Sequence, residues 1–454
     1  MLPDVALLEI FDIYGDDASE SDFEKRYYEQ IEAWHTLVHV CRKWRTVVFG
    51  SPLRLNLRLH CTARTPVTKT LDVWPLLPII VWENDEESWD GDNIVAALNH
   101  SDRIRELRLL NIPSSQLEKV LGAMQQPFTA LTSLQLHSDE TMPVVRGLLL
   151  DASAPRLGTL DLYGIPLPGI PKLLLSATHL VYLGLGRIPH IGYIQPEAIV
   201  TYLSVLTRLQ LLELGFESPR CRPNRRCLPP RTRTLLPALT WFQFKGVGAY
   251  LEDFLARIDA PLLYYLDITF FHQLIFDTPQ LTQFISRTPE LKAGDSAHVR
   301  FSDQHVSVEL YWDCPGIKGI KLRVSCGHSD WQLSSLAQIF NSSFPQAFIL
   351  VVAHLFIRSN VSPMHWQDVE GNQWLELLHP FTSVKNLHVF SEFMPSIAPA
   401  LQELVREGVA DVLPALHNLF LAGPIPSGPV QEAIAHFVAA RELAGNPVGI
   451  STWE

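Results

Sequence analysis

Cysteine is scarce. Six residues in 454 (Cys41, Cys61, Cys221, Cys227, Cys314 and Cys326) are too few and too scattered for a disulfide framework. A reducing interior, cytosol or nucleus, is therefore the expected address. Long hydrophobic runs are also missing. The longest apolar stretch, Ala347 to Ile357, is about half a bilayer crossing and contains His354, so no transmembrane segment is expected. The N-terminus lacks the basic leader and small-residue cleavage site of a secretory signal. There is no basic excess: 36 Lys+Arg stand against 48 Asp+Glu, a net charge of −12. That argues against a dedicated nucleic-acid binder, because neutralising phosphates needs a basic face. Catalytic signatures are missing too, among them the nucleophile elbow, the Walker loop, the H-E-x-x-H helix and the dinucleotide fingerprint. Gly184-x-Gly186 has no third glycine. Cys314, Cys326 and His328 match no closed tetrahedral spacing. No catalytic residue, cofactor or metal is expected.

What is abundant is apolar and periodic. Hydrophobic residues make up 47% of the chain and charged residues 19%, enough for a large core. An L-x-x-L-x-L phrase begins at Ile104, Leu131, Leu157, Leu180, Leu209, Leu239 and Leu263, in steps of 23 to 30 residues. It returns at Val352, Val384 and Leu416 in steps of 32, with a weaker copy at Ile317. Apolar side chains two apart share one side of a strand, so each phrase predicts a short strand with one buried face. Between phrases the spacing turns helical. Leu117, Val120, Leu121 and Met124 form one stripe, with Ser114 or Ser115 available as N-cap. Ile199, Leu203 and Leu206 follow Pro196; Leu251, Phe254, Leu255 and Ile258 form a third stripe, and Ile397, Leu401, Leu404 and Val405 a fourth. The expected class is α/β, an irregular leucine-rich-repeat solenoid of horseshoe type. The Asn or Cys usual a few residues beyond the strand is missing at that position after Leu136, Leu162 and Leu185.

The first fifty residues read differently. Leu7, Leu8, Ile10 and Phe11 follow Leu2-Pro3-Asp4 as one short helix. Ile31, Trp34, Leu37, Val38, Cys41, Trp44 and Val48 predict a second, from about 31 to 48. Such a pair is small for an independent core, so it is expected to pack on the repeats or on a partner. Leu2-Pro3, the Ile10-Phe11 helix and Val40-Cys41-Arg42-x-Trp44-Arg45 resemble an F-box, of the F-box-like type common in mushroom-forming fungi. That resemblance implies docking on the Skp adaptor of a cullin-RING ubiquitin ligase through Leu2, Pro3, Leu7, Leu8, Ile10, Phe11, Leu37, Val40, Cys41, Trp44 and Arg45. It departs from the family in a long acidic connection between Gly15 and Ala33.

The expected organisation is adaptor-binding helices over 1–50, a linker or cap over 51–103 and repeats over 104–289. Irregular repeats or an insertion follow over 290–345, then C-terminal repeats and a cap over 346–454. In each phrase the residue between the last two apolar positions faces away from the core. This predicts a recognition surface of Arg108, Gln135, Asp161, Gly184, Glu213, Gln243 and Asp267, flanked by Tyr163, Tyr182, Trp241 and Tyr265. The acids Asp161, Glu213 and Asp267 lean towards a basic protein partner. The arginine-rich stretch around Cys221 and Cys227 reads as a solvated insertion, and the acids from Glu83 to Asp92 as an exposed connection. The function expected is substrate recognition for a ubiquitin ligase, leading to degradation of an unidentified target protein. The alternative is a repeat scaffold whose N-terminal helices only cap the array.

Overall fold

A strand that places leucines at every second position needs a second layer to cover them, and the repeats supply it. All apolar positions of the ten main phrases are buried, none more than 2% exposed. A leucine or phenylalanine buried in this way contributes about 1.5–3 kcal/mol. The computed structural model describes residues 3–16, 37, 39–50, 57–64, 66–73, 76–82, 89–140, 153–166, 172–220, 232–273, 275–291, 294–311, 318–326, 329–359, 371–406, 412–423 and 428–453. The chain forms two units, Met1–Leu180 and Val181–Glu454.

The first unit carries β1 (Leu57–Leu59), β2 (Ile79–Val81), β3 (Ile104–Leu109), β4 (Ser133–His137) and β5 (Thr159–Tyr163), parallel and in chain order. The stretch 51–103, expected as linker or cap, thus already contributes two strands to the sheet. Helix Gly91–Leu98 is capped by Asp90, whose carboxylate accepts from the N–H groups of Asp92 (2.9 Å) and Asn93 (3.1 Å). Helix Ser114–Ala123 differs from expectation. Pro113 stands at its N-cap, and the Ser114 N–H and hydroxyl both donate to Glu140 (2.9 and 2.8 Å).

The second unit carries β6 (Tyr182–Ile188), β7 (Leu211–Phe216), β8 (Thr234–Leu235), β9 (Trp241–Gly246), β10 (Ile258–Asp259) and β11 (Tyr265–Phe271). It continues with β12 (Ser296–Phe301), β13 (His305–Tyr311), β14 (Gly319–Ser325), β15 (His354–Ser359), β16 (Asn386–Phe390), β17 (Asn418–Ala422) and β18 (Gly449–Trp453). The short β8 and β10 pair only with each other. The main order is β6-β7-β9-β11-β14-β13-β12-β15-β16-β17-β18, so the chain folds back on itself between β11 and β15. There β13 is antiparallel to both neighbours, while β14 continues the register of β11 and β12 that of β15. The stretch 290–345 therefore includes a three-stranded meander set into the array, followed by helix Ser329–Ser342. The weak phrase at Ile317 contributes a real rung, with Ile320 opposite Leu266 and Leu322 opposite Ile268.

Consecutive helices are clamped end to end. The Glu252 carboxylate, in helix Gly248–Leu255, accepts from the N–H groups of Gln280 (2.8 Å) and Leu281 (2.9 Å) at the start of helix Pro279–Arg287. At that helix's far end, Arg287 donates back to the carbonyls of Leu255 (2.7 Å) and Ile258 (2.9 Å). A carboxyl group thus meets the N–H groups at one helix start, although burial pushes it up to about 7, and a cation meets carbonyls at the other end.

The missing Asn ladder has a substitute. Two residues past the last apolar position, Asn111, Gly164, Arg187 and Gly423 all have positive φ (51°, 72°, 45° and 87°); Asn111, Gly164 and Gly423 turn the chain off the strand, and Arg187 marks a bulge within β6. At Gly164 a Cβ would lie 2.0 Å from the Ser138 carbonyl oxygen. Gly164→Ala is expected to cost about 2 kcal/mol or more, read as a lower melting temperature of the intact chain. A melting temperature equal to that of the wild type would show that the turn can be rebuilt.

Candidate functional site

The N-terminal pair closes on itself. Leu7, Phe11, Leu37, Val47 and Val48 form a small core, with Leu8 and Trp44 packed against it. Phe11 and Trp44 have ring centroids 4.7 Å apart. The first helix is Asp4–Asp16; the second is Arg42–Phe49, shorter than the expected 31–48. It cannot run through Cys41, whose φ of −158° is extended and whose Sγ caps the helix by accepting from the Trp44 N–H at 3.5 Å. Residues 17–36 and Leu2 lie outside the described residues. Among the predicted docking residues, Leu7, Phe11 and Leu37 are interior and hold the pair together instead of presenting a surface. Pro3, Ile10, Val40, Cys41 and Arg45 are exposed, and Leu8 and Trp44 are half-buried. Val5 and Phe49, which sequence reasoning did not single out, are 69% and 58% exposed.

On the sheets, register places the predicted recognition residues in rows. In the first unit Arg108, Gln135 and Asp161 are direct neighbours on β3, β4 and β5. Arg108 lies over Trp82 at 4.9 Å; Asp161 is 2.9 Å from His137 Nε2, and that ring faces Tyr163 at 5.5 Å. In the second unit Gly184, Glu213, Gln243 and Asp267 form one row across β6, β7, β9 and β11. Tyr182 donates its hydroxyl to Glu213 at 3.4 Å, and Trp241 stacks on Tyr265 at 3.7 Å.

That row continues beyond Asp267 through Lys321, Glu309, His298, Phe356, His388 and Phe420. The meander brings three cations to the acids here. Asp267 is only 3% exposed and pairs with Arg323 at 2.6 Å, so its charge is satisfied internally and not offered to a basic partner. Glu309 is fully buried and paired with Lys321 and with Arg300 (3.2 Å). Burial alone would raise its carboxyl, yet hydrogen bonds from Lys321 and Tyr311 and the charges of Lys321 and Arg300 hold it below the usual range. Burial, reinforced by the charge of Asp267, pushes the Tyr265 hydroxyl up to about 12.

Past the ionic cluster the row becomes a stack of flat rings. His298, Phe356, His388 and Phe420 follow one another with centroids 4.5, 4.2 and 4.4 Å apart and planes within 16° of parallel. Sequence reasoning missed it. The signal was present: Phe356, His388 and Phe420 occupy, in the last three phrases, the position that yielded the predicted residues in the first seven. His298 required the hairpin. The alternation Ala297-x-Val299-x-Phe301, a short turn and Val306-x-Val308-x-Leu310 was its mark. At the edge of this face, Asn418 donates to Asn386 (2.8 Å), which sits 3.2 Å from His354. Cys326 is buried; Cys314, His328 and the arginine-rich stretch 221–231 lie outside the described residues, as do most of the acids from Glu83 to Asp92. Among the described residues no group of three or more His, Cys, Asp or Glu could hold a metal ion, and no helix is long and apolar enough to cross a membrane.

The class these features define is a mixed α/β array of mostly parallel strand–helix units stacked on L-x-x-L-x-L phrases, an arrangement consistent with a leucine-rich-repeat solenoid. No family model matches the sequence, and no curated protein does. A solved structure similar to this chain is the leucine-rich repeat-containing protein LegL7 from Legionella pneumophila. It is 12% identical and covers 87% of this chain and 99% of that one, with a TM-score of 0.28. The repeat assignment rests on the strand register within this chain.

The ring stack carries a pH signature. Burial above all, with Arg358 and Arg300 nearby, holds His298 down to about 4; burial, His354 and Arg358 do the same to His388. Between the ordinary value of 6.5 and about 4 the unfolded chain binds protons that the folded chain refuses. Stability is therefore full above pH 6.5 and falls as the pH drops through that window. Replacing both rings (His298→Phe with His388→Phe) is expected to keep the stack and flatten the slope of stability against pH between 6.5 and 4. Chemical denaturation across that range measures it, and an unchanged slope would place the acid sensitivity elsewhere.

Proposed function

We propose that this chain is a non-catalytic substrate-recognition subunit of an SCF-type cullin-RING ubiquitin ligase. In this reading the N-terminal helices dock the Skp adaptor, the cullin scaffold is reached through it, and the strand rows bind a protein target. Its contribution to ubiquitin transfer is proximity, holding a target lysine near the loaded enzyme, with no side-chain chemistry of its own.

The observation that carries the reading is the division of labour in the N-terminal pair. Its core uses Leu7, Phe11 and Leu37, while Val5, Ile10, Val40 and Phe49 remain exposed around it. Four large apolar side chains on so small a segment suit burial against a partner. The F-box resemblance of Pro3, Ile10-Phe11 and Val40-Cys41-Arg42-x-Trp44-Arg45 supplies the identity of that partner.

The test is co-purification of the full chain with a Skp adaptor. The intact chain is expected to form the complex, and Ile10→Asp with Val40→Asp to lose it. Each substitution should cost about 2 kcal/mol of binding or more while leaving the melting temperature nearly unchanged, because neither residue belongs to the small core. No complex from the intact chain would overturn the ligase reading and leave the repeat scaffold.

A further inference from the structure

Two residues along each strand from the ionic row lies another row with a different character. Lys245, Thr269, Arg323, Ser307, Arg300 and Arg358 are direct neighbours across β9, β11, β14, β13, β12 and β15. Four of the six are cations, two carry hydroxyls and none is an acid. Asp267 and Glu309 lie in the row beside it, on the same face of the sheet.

Depth decides which charge a visitor meets. The side chains of Glu309 and Asp267 are 0% and 5% exposed, whereas those of Arg300, Arg323 and Lys321 are 40%, 29% and 19% exposed. The acids form a floor and the guanidinium and ammonium groups lie above it. The two carboxylates hold the cations in place and offset part of their charge, leaving an excess of cations over acids here on a chain whose net charge is −12. Alongside runs the stack of His298, Phe356, His388 and Phe420, with Arg358 over Phe356 at 5.4 Å.

We infer that this row is a docking track for an extended, carboxylate-rich segment of a protein target, lying across the strands from Lys245 to Arg358. Six strands at about 4.8 Å spacing span roughly 24 Å, the length of about seven extended residues. Acids on one face of such a segment meet the cations, and the side chains between them point away from the sheet. Guanidinium groups suit carboxylates because their planar forks bind two oxygens at once. A nucleic acid fits less well. Its phosphates would run on past the track into a chain of opposite balance.

This deepens the target-binding half of the proposed function and stands apart from adaptor docking. The probe is a fluorescein-labelled peptide of alternating Glu and Tyr, about eight residues long to span the track, titrated with the full chain and followed by anisotropy. The intact chain is expected to bind it, to ignore the alternating Lys and Tyr counterpart, and to bind more weakly as salt rises. Arg300→Gln with Arg358→Gln should weaken binding about tenfold or more, whereas Lys119→Gln in the first unit should not change it. Melting temperature is read for each variant. A variant that melts early is replaced by Lys245→Gln, whose exposed side chain lies at the end of the track. Failure of the acidic peptide to bind, equal binding to the double variant, or tighter binding of a single-stranded oligonucleotide overturns the track. Adaptor co-purification of the double variant, run in parallel, separates failure of the track from failure of the ligase reading.

Discussion

Everything in the repeat units follows from the parity of a β-strand. Successive side chains point to opposite faces, so committing Leu107 and Leu109, or Phe242 and Phe244, to the core commits the residue between them to the other side. No strand can adjust one face without the other, because a shift by one residue would bring leucine to water and charge to the core. The apolar phrase is therefore also an address for the polar residues. Stacking in register then converts those addresses into continuous rows, and it is the rows, not single residues, that have chemical character.

This explains why some of the molecule was legible before any coordinates and some was not. The strands of the ten main phrases and four of the helices between them could be read from local periodicity. So could the row through Glu213, Gln243 and Asp267, since parity needs only the sequence. What lies beside a row depends on which strand pairs with which, and between β11 and β15 chain order and spatial order diverge. Asp267 looked like an available anion because its neighbour could not be known; Arg323, brought in on β14, had already taken it. The N-terminal segment shows the same limit on a smaller scale. Phe11, Leu37 and Trp44 were recognisable as apolar, but only their mutual packing separates interior residues from exposed ones.

The ionic cluster and the ring stack are two solutions to one problem. Neighbouring strands bring side chains to within about 5 Å of each other, so each row must be self-compatible. Around β13 this is met by alternating charge, Asp267, Lys321 and Glu309, with Arg323 and Arg300 flanking. From β12 onward it is met by flat rings laid face to face, with the imidazoles kept neutral. One half of the face is thereby rich in cations and the other flat and uncharged.

The reversal at β13 also changes how this array can grow and fold. In a regular array each rung rests on the one before, so rungs can be gained, lost or melted singly. Here Tyr265 pairs with Gly319 and Ser296 with His354, so two long crossovers interlock. No cut between β11 and β15 leaves a complete rung on both sides. That stretch should behave as a single cooperative block, a knot of topology in an otherwise linear ladder, closed to duplication or deletion of one repeat.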